Sequence, residues 1–233
     1  MRPVGEVEYI ETIASESATG SHGPTKAAAA IIGYADLKLG EQARPVLEAM
    51  REASPNRFRG VRHATGWDES PELANRDIRG ALSTEGYRAG AKVLADMGLV
   101  LENSLYFHQL PELAEFARSV PNLTIVLNHI GGLVRVGPYA NRDDEVLPAW
   151  RQGVAEAAQC PNIVMKLGGV GQLRYGYSWH DRDIPIGSEE LAGTLGPLME
   201  HCIQQFGPDR GYSAGERAAL FHDTAARVYN ISD

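Results

Sequence analysis

The sequence predicts an α/β fold of the TIM-barrel type that is incomplete and has about five recognisable parallel strands. Short apolar segments of strand length alternate with longer amphipathic segments, as in a sheet that helices cover. A histidine, His129, ends one of the apolar segments. Repeated strand–helix–strand units require right-handed crossovers and therefore a parallel sheet. A doubly wound sheet is the alternative that this pattern leaves open.

Five segments are predicted to be strands from their apolar composition. They are Ala27–Tyr34, Phe58–His63, Leu99–Tyr106, Leu123–His129 and Asn162–Leu167. The first is the weakest by composition, because its alanines favour helix. Its assignment depends partly on the regular alternation of the segments around it.

Six segments are predicted to be helices between and after these strands. They are Gly40–Glu52, Thr84–Met97, Leu110–Ser119, Glu145–Gln159, Glu189–Phe206 and Gly215–Tyr229. Helical spacing is clearest in the fifth, where Leu191, Leu195, Leu198 and Cys202 share one face.

Composition and charge narrow the class of protein. A chain of 233 residues, 43% of them hydrophobic, is expected to form one domain with a sizeable core. The formal net charge of −8 and the lack of a basic block disfavour nucleic acid as a partner. The apolar runs are too short for a signal peptide core or a membrane span, so a cytoplasmic protein is expected. Two cysteines without a paired motif predict reduced thiols.

His129 is the candidate catalytic residue. It follows an apolar strand directly, and the carboxyl ends of barrel strands carry the catalytic groups of this architecture. An imidazole there can ligate a metal, orient a carbonyl group or transfer a proton near neutral pH. Position alone does not separate this role from that of a strand-end histidine that a backbone carbonyl caps.

Polar side chains near the ends of the other strands are candidates for substrate binding. They are Arg62, His63, Tyr106, Gln109 and Lys166. A guanidinium group suits a substrate carboxylate through bidentate hydrogen bonds. The alternative for Arg62 is a salt bridge to a neighbouring acid. No nucleophile elbow, zinc-protease helix, Walker motif or Cys-x-x-Cys pair is present to suggest another chemistry.

Several segments together resemble the amidohydrolase-2 family of metal-dependent TIM-barrel hydrolases. They are GPTKAAAAIIGYADLKLG, RFRGVRHATGWD, FHQLPELAEFARSVPNLTIVLNHIGG, NIVMKLGG and LFHDTAARVYNI. The resemblance covers nearly the whole chain and is strongest to a branch of sugar lactonases and dicarboxylate lactone hydrolases. It implies a hydrolase of a lactone or similar cyclic, carboxylate-bearing small molecule, with His129 in the active site and Arg62 and His63 in substrate recognition. A decarboxylase on the same barrel is the enzyme alternative.

The sequence departs from that family in two places. Complete members begin with a His-x-His strand that holds a divalent metal, zinc or manganese, and this sequence has no His-x-His pair. Their eighth strand would fall near residues 210–211, where Arg210 runs directly into GYSAGERAALF. The resemblance therefore implies one domain over residues 1–233 that is truncated at its N-terminus, internally deleted, and without a secure metal site.

Two expectations follow from these departures. The chain is either an active hydrolase or a family member that acts as a non-catalytic binding or interaction module. A sheet that lacks neighbouring strands has unpaired edges, so the protein is expected to self-associate as a homo-oligomer.

Overall fold

The computed structural model describes residues 3–73, 79–207 and 222–231, and its centre is one parallel sheet. The strands are β1 (Ile31–Gly33), β2 (Phe58–Ala64), β3 (Val100–Ser104), β4 (Ile125–Leu127) and β5 (Ile163–Met165). They pair in the order β1-β2-β3-β4-β5, all parallel. The prediction of an incomplete TIM-type barrel with five parallel strands is confirmed, although most strands are shorter than their predicted segments.

Helices precede, connect and follow the strands. They are α1 (Val4–Ala18), α2 (Arg44–Ala53), α3 (Glu85–Asp96), α4 (Leu110–Ser119), α5 (Asp143–Ala158), α6 (Ser188–Phe206) and α7 (Thr224–Val228). The sequence did not predict α1, whose only buried residues are Val7 and Ala14. Such sparse burial leaves a weak helical pattern. The predicted helix Gly215–Tyr229 is represented by α7, while its first part and the expected deletion near 210–211 lie outside the described residues.

The two faces of the sheet carry different residues because successive side chains of a strand point in opposite directions. Val61 and Leu101 are paired across β2 and β3 and are fully buried against the helices. Arg62 and Glu102, one position later in each strand, are also paired and therefore lie on the opposite face. That face is opposite the one that packs against α3, as the inner side of a barrel sheet is, and the polar candidates can meet there.

The outer edges of the sheet belong to β1 and β5. Each has a single strand partner within the described ranges. Self-association through these edges stays a prediction.

Cys160 and Cys202 are both buried and free. Among the helices described, none combines the length and hydrophobicity that a bilayer span requires.

The turn after β4 brings the chain very close to the loop after β3, and a glycine makes this approach possible. Gly132 has φ +67°, and a Cβ atom built there would lie 1.8 Å from the carbonyl oxygen of Leu105. Neither the backbone conformation nor the space accommodates a side chain.

We expect Gly132→Ala to lower the free energy of unfolding by about 2–4 kcal/mol, because it adds both backbone strain and a steric overlap. Urea denaturation measures the change. Gly193→Ala in α6 is the matched control, since a Cβ atom there meets no other atom within 4 Å. Equal stability of the two variants would contradict the close approach.

Candidate functional site

A buried carboxylate, Glu102, is at the centre of the polar cluster on the inner face of the sheet. Its side chain is 1% exposed. Arg62 donates from Nε to Oε2 at 2.7 Å, and Lys166 donates from Nζ to Oε1 at 2.6 Å. The hydroxyl of Tyr229 donates to Oε1 at 2.5 Å. Asn128 Nδ2 lies 3.5 Å from Oε2. Glu102 thus joins β2, the end of β5 and the segment after α7.

Glu102 is ionised at neutral pH. Burial alone raises its pKa, but hydrogen bonds from Lys166 and Tyr229, together with the charge of Lys166 and the hydrogen bond from Arg62, outweigh burial and lower the pKa below its ordinary value. The same contact raises the pKa of Tyr229, after the larger effect of burial, so the phenol stays protonated and donates. The cluster is a carboxylate between two cations and a neutral phenol.

His129 begins a strained turn at the end of β4. Its φ is +54° and that of Ile130 is +46°, a conformation that side-chain-bearing residues rarely adopt. Hydrogen bonds hold the turn: Tyr175 Oη donates to the His129 carbonyl at 2.6 Å, and Trp150 Nε1 donates to the Ile130 carbonyl at 2.7 Å. The Ile130 amide donates to the carbonyl of Lys166 at 3.1 Å. Strain of this kind persists where surrounding contacts over-determine it, often at functional sites.

The imidazole of His129 lies against the loop after β5. A Cβ atom built on Gly169 would lie 2.0 Å from His129 Nδ1, so the ring lies directly on that glycine. Partial burial lowers the pKa of His129, and the positive charges of Arg174, Arg62 and Lys166 lower it further, against an opposing effect of Glu102. The ring is therefore neutral at neutral pH and can accept a proton.

A cavity of about 800 Å³ opens beside β5 and includes part of this cluster in its wall. His129, Lys166, Gly169 and Tyr229 line it at the carboxyl end of the strand. Residues of β5, α6 and α7 form its other walls. The volume lies in the range of pockets that bind drug-sized ligands. The protein therefore has room for a substrate next to His129 and Lys166.

The structure brings three of the six predicted site residues together and separates the other three from them. His129, Lys166 and Arg62 belong to the cluster described above. His63 points to the helix side of the sheet, is 3% exposed, and lies with its ring centre 5.3 Å from that of Tyr87 in α3. Its neighbour Arg62 faces the other way because the side chains of a strand alternate. A substrate-binding role for His63 stays a prediction without geometric support.

Tyr106 and Gln109 lie in the loop after β3 and are both buried. The Gln109 side chain accepts hydrogen bonds from the amides of Trp67 and Tyr106 at 3.0 and 3.2 Å and donates to the carbonyl of Thr65 at 3.0 Å. It thereby ties the loop after β2 to the loop after β3. Neither residue belongs to the cavity wall, so their substrate-binding roles also stay predictions.

Sequence reasoning missed Glu102 and Tyr229. A signal for Glu102 was present, because a carboxylate inside an apolar strand is costly to bury unless it is paired. Tyr229 had no such signal, since its contact with Glu102 spans 127 positions of the chain. Asn128 was also overlooked. It is 1% exposed, and among the described residues its Oδ1 atom has no hydrogen-bond donor.

The donor groups near His129 do not fit the divalent metal that the family resemblance implies. Within residues 3–73, 79–207 and 222–231, no three His, Cys, Asp or Glu side chains are grouped to hold an ion, whereas such sites generally use at least three protein ligands. Glu102 is already occupied by Arg62 and Lys166. These cations and Arg174 would also repel a metal ion from His129.

Comparison with known proteins identifies the family to which the chain belongs. The family model described as amidohydrolase matches residues 25–212. The chain belongs to the amidohydrolase family. An amidohydrolase from Burkholderia multivorans, crystallised once with HEPES and once with zinc, shares the fold with a TM-score of 0.71 at 22% identity in both structures. In each case the match covers 95% of this chain and 79% of the other.

Two sequence relatives also match most of the chain. The uncharacterized protein y4mH of Sinorhizobium fredii is 28% identical over 246 residues, which cover 98% of this chain and 76% of the relative. The L-fucono-1,5-lactonase of Burkholderia multivorans is 26% identical over 228 residues, which cover 88% of this chain and 72% of the relative.

We expect Glu102→Gln to lower the free energy of unfolding by about 1–3 kcal/mol at neutral pH, because it leaves Arg62 and Lys166 without their buried partner. The pKa of Glu102 is lowered in the folded state. The stability that ionised Glu102 contributes is therefore complete above the pKa of this residue in the unfolded chain. It is lost as pH falls through the lower pKa of the folded state. Urea denaturation at several pH values should show the two proteins converging in acid.

Glu115→Gln is the matched control, because this carboxylate is exposed and pairs with Arg88 at the surface. It should change stability little. A Glu102→Gln protein as stable as this control at neutral pH would show that the cluster does not support the fold.

Proposed function

We propose that the chain hydrolyses a lactone or a related cyclic ester that carries a carboxylate group. The observation that carries this proposal is a neutral imidazole, His129, in the wall of a substrate-sized cavity beside the ammonium group of Lys166. A neutral base and a fixed cation are the two groups that water needs to attack an ester carbonyl. Membership of the amidohydrolase family supports hydrolysis, and the lactonase relative supports the substrate class.

Each polar group has a role in this reaction. His129 takes a proton from water while the water oxygen bonds to the carbonyl carbon. Lys166 stabilises the negative charge that develops on the carbonyl oxygen. The carbon–oxygen bond of the ring then breaks, and His129 returns the proton to the leaving alkoxide, so that the product is a hydroxy acid. Glu102 holds Lys166 in position through the 2.6 Å ion pair.

Arg62 does not line the cavity itself, but its bond to Glu102 and the effect of its charge on His129 suit it to bind the substrate carboxylate at the edge of the cavity. Its two contacts with Glu102 use Nε and Nη2, and 49% of its side chain remains exposed. The rest of the guanidinium group is therefore accessible to a ligand. Arg62, Lys166 and Arg174 all act on His129 as positive charges, and Glu102 alone opposes them among the causes of its pKa shift. The excess positive charge favours an anionic substrate.

A non-catalytic binding module is the second candidate. It is favoured by the poor fit of the described donor groups to a metal and by the full engagement of Glu102, which is thereby prevented from acting as a base. Binding of a carboxylate ligand without turnover of any lactone would support this candidate. No observation on the described residues favours the decarboxylase.

We expect His129→Gln to lower kcat for a small lactone panel by about 10²–10⁴-fold, because the general base is lost. His180→Gln, which changes an exposed histidine paired with Asp181, should leave kcat unchanged. In the wild type, protonation of His129 abolishes its role as a base. Since its pKa is lowered from 6.5, activity should persist at neutral pH and fall only at pH values below 6.5. Turnover that survives in His129→Gln would rule out this base.

We also expect hydrolysis to be independent of a divalent metal. Dialysis against EDTA should leave kcat/KM unchanged, and elemental analysis of the purified protein should find zinc and manganese far below one ion per chain. The physical reason is the positive charge around His129. Loss of activity on dialysis with recovery on added zinc would contradict the proposed mechanism while leaving lactone hydrolysis intact.

A further inference from the structure

We propose that the cavity beside β5 binds an amphiphilic carboxylate, with its acidic or carbonyl head at Lys166 and His129 and an alkyl or aryl tail along β5. This assignment deepens the proposed function and rests on it for the position of the head group. It names a feature of the ligand, a long apolar arm, that neither the family nor the lactonase relative implies.

The cavity follows the whole length of an edge strand. Its wall includes Pro161, which precedes β5, every residue of β5, and the chain from Lys166 to Gly169. At about 3.3 Å per residue, the extended path from Ile163 to Lys166 is roughly 10 Å long, and the turn at Pro161 continues the wall beyond it. The volume is about 800 Å³. A single lactone ring beside His129 would occupy only one end of this space.

The side walls of the cavity are apolar. They are contributed by the strands and by the two helices that face them: Val126, Ile163, Val164 and Met165 from β4 and β5, Met199, Ile203 and Phe206 from α6, and Ala225 and Val228 from α7. The hydroxyl groups of a sugar would lose their hydrogen bonds with water against such walls. An alkyl or aryl tail would instead gain from burial.

The charges of the lining are all of one sign. The charged side chains in the described wall are Lys166 and Arg227, and no aspartate or glutamate is among the residues that line it. Glu102, the carboxylate that pairs with Lys166, is 1% exposed and does not line the cavity. The wall therefore complements an anionic head. Lys166 and His129 lie at the carboxyl end of β5, which orients the ligand.

Calorimetric titration of the full chain with butyrate, hexanoate, octanoate and decanoate tests the tail. If the tail enters the apolar part of the cavity, affinity should rise about threefold to fourfold for each added methylene group. Decanol tests the head, because it has the same tail without the charge and should bind at least tenfold more weakly than decanoate. Affinity that does not depend on chain length, or equal affinity for decanol and decanoate, would overturn the assignment.

A pair of variants on α6 locates the binding site. Ile203→Trp fills the cavity and should weaken decanoate binding at least tenfold, whereas Gln204→Trp places the same side chain on the exposed side of the helix and should bind decanoate as the wild type does. Circular dichroism checks that both variants fold. Equal binding by the two folded variants would place decanoate elsewhere and overturn the proposal.

Two further readouts separate the alternatives. Sedimentation at the same protein concentrations detects a second copy: a dimer that decanoate dissociates would mean that a partner strand fills the space beside β5, and the small-molecule assignment would fail. Turnover of two lactones that both carry a carboxylate group, one with a short and one with a long alkyl arm, tests the reaction independently. Binding that depends on tail length, without turnover of either lactone, would overturn the proposed function and leave this inference standing. Turnover without any tail preference in binding or in KM would overturn this inference and leave the proposed function standing.

Discussion

The arrangement of the polar groups in this protein depends on the burial of one carboxylate. Glu102 lies in the middle of β3 at 1% exposure and is stable there as an anion only because Arg62, Lys166 and Tyr229 donate to it. The same contacts join β2, the end of β5 and the segment after α7. Because a buried carboxylate is costly without partners, Glu102 determines where Arg62, Lys166 and Tyr229 lie. Lys166 and Tyr229 also line the cavity, so their positions shape its polar end.

The electrostatic state of His129 is a second consequence of that cluster. Arg62 and Lys166 are turned toward Glu102, and from there their charges act with burial and with Arg174 to lower the pKa of His129. The strained turn at φ +54° presents the ring to the cavity, and Tyr175 and Trp150 hold the backbone in this conformation. A metal would lower the pKa of a bound water molecule to generate its nucleophile. In this protein, burial and the neighbouring cations lower the pKa of His129, and the reaction proposed above requires a neutral imidazole.

The incompleteness of the barrel has a structural consequence beside β5. In a closed barrel, every strand has two neighbours and side chains fill the interior. Within the described ranges β5 has one neighbour, and its free edge meets a cavity walled by α6 and α7. Over the described residues, this member of the amidohydrolase family has a five-stranded parallel sheet with an apolar space along one edge.

The sequence by itself determined the α/β class, five parallel strands, and the positions of His129, Arg62 and Lys166 near strand ends, because hydrophobic periodicity and strand–helix alternation are local signals. The order of the strands followed only from the family resemblance, since the alternation also allows a doubly wound sheet. Tertiary structure alone decided which of these side chains meet. Arg62 and His63 are adjacent in sequence, yet the alternation of a strand puts them on opposite faces, and only the helix packing identifies the inner one. Gln109 was predicted to bind substrate, and only the structure shows that its side chain also joins the loops after β2 and β3. The contact of Tyr229 with Glu102 joins residues 127 positions apart. Such contacts leave no local pattern, because the burial that makes them favourable exists only after the chain has folded.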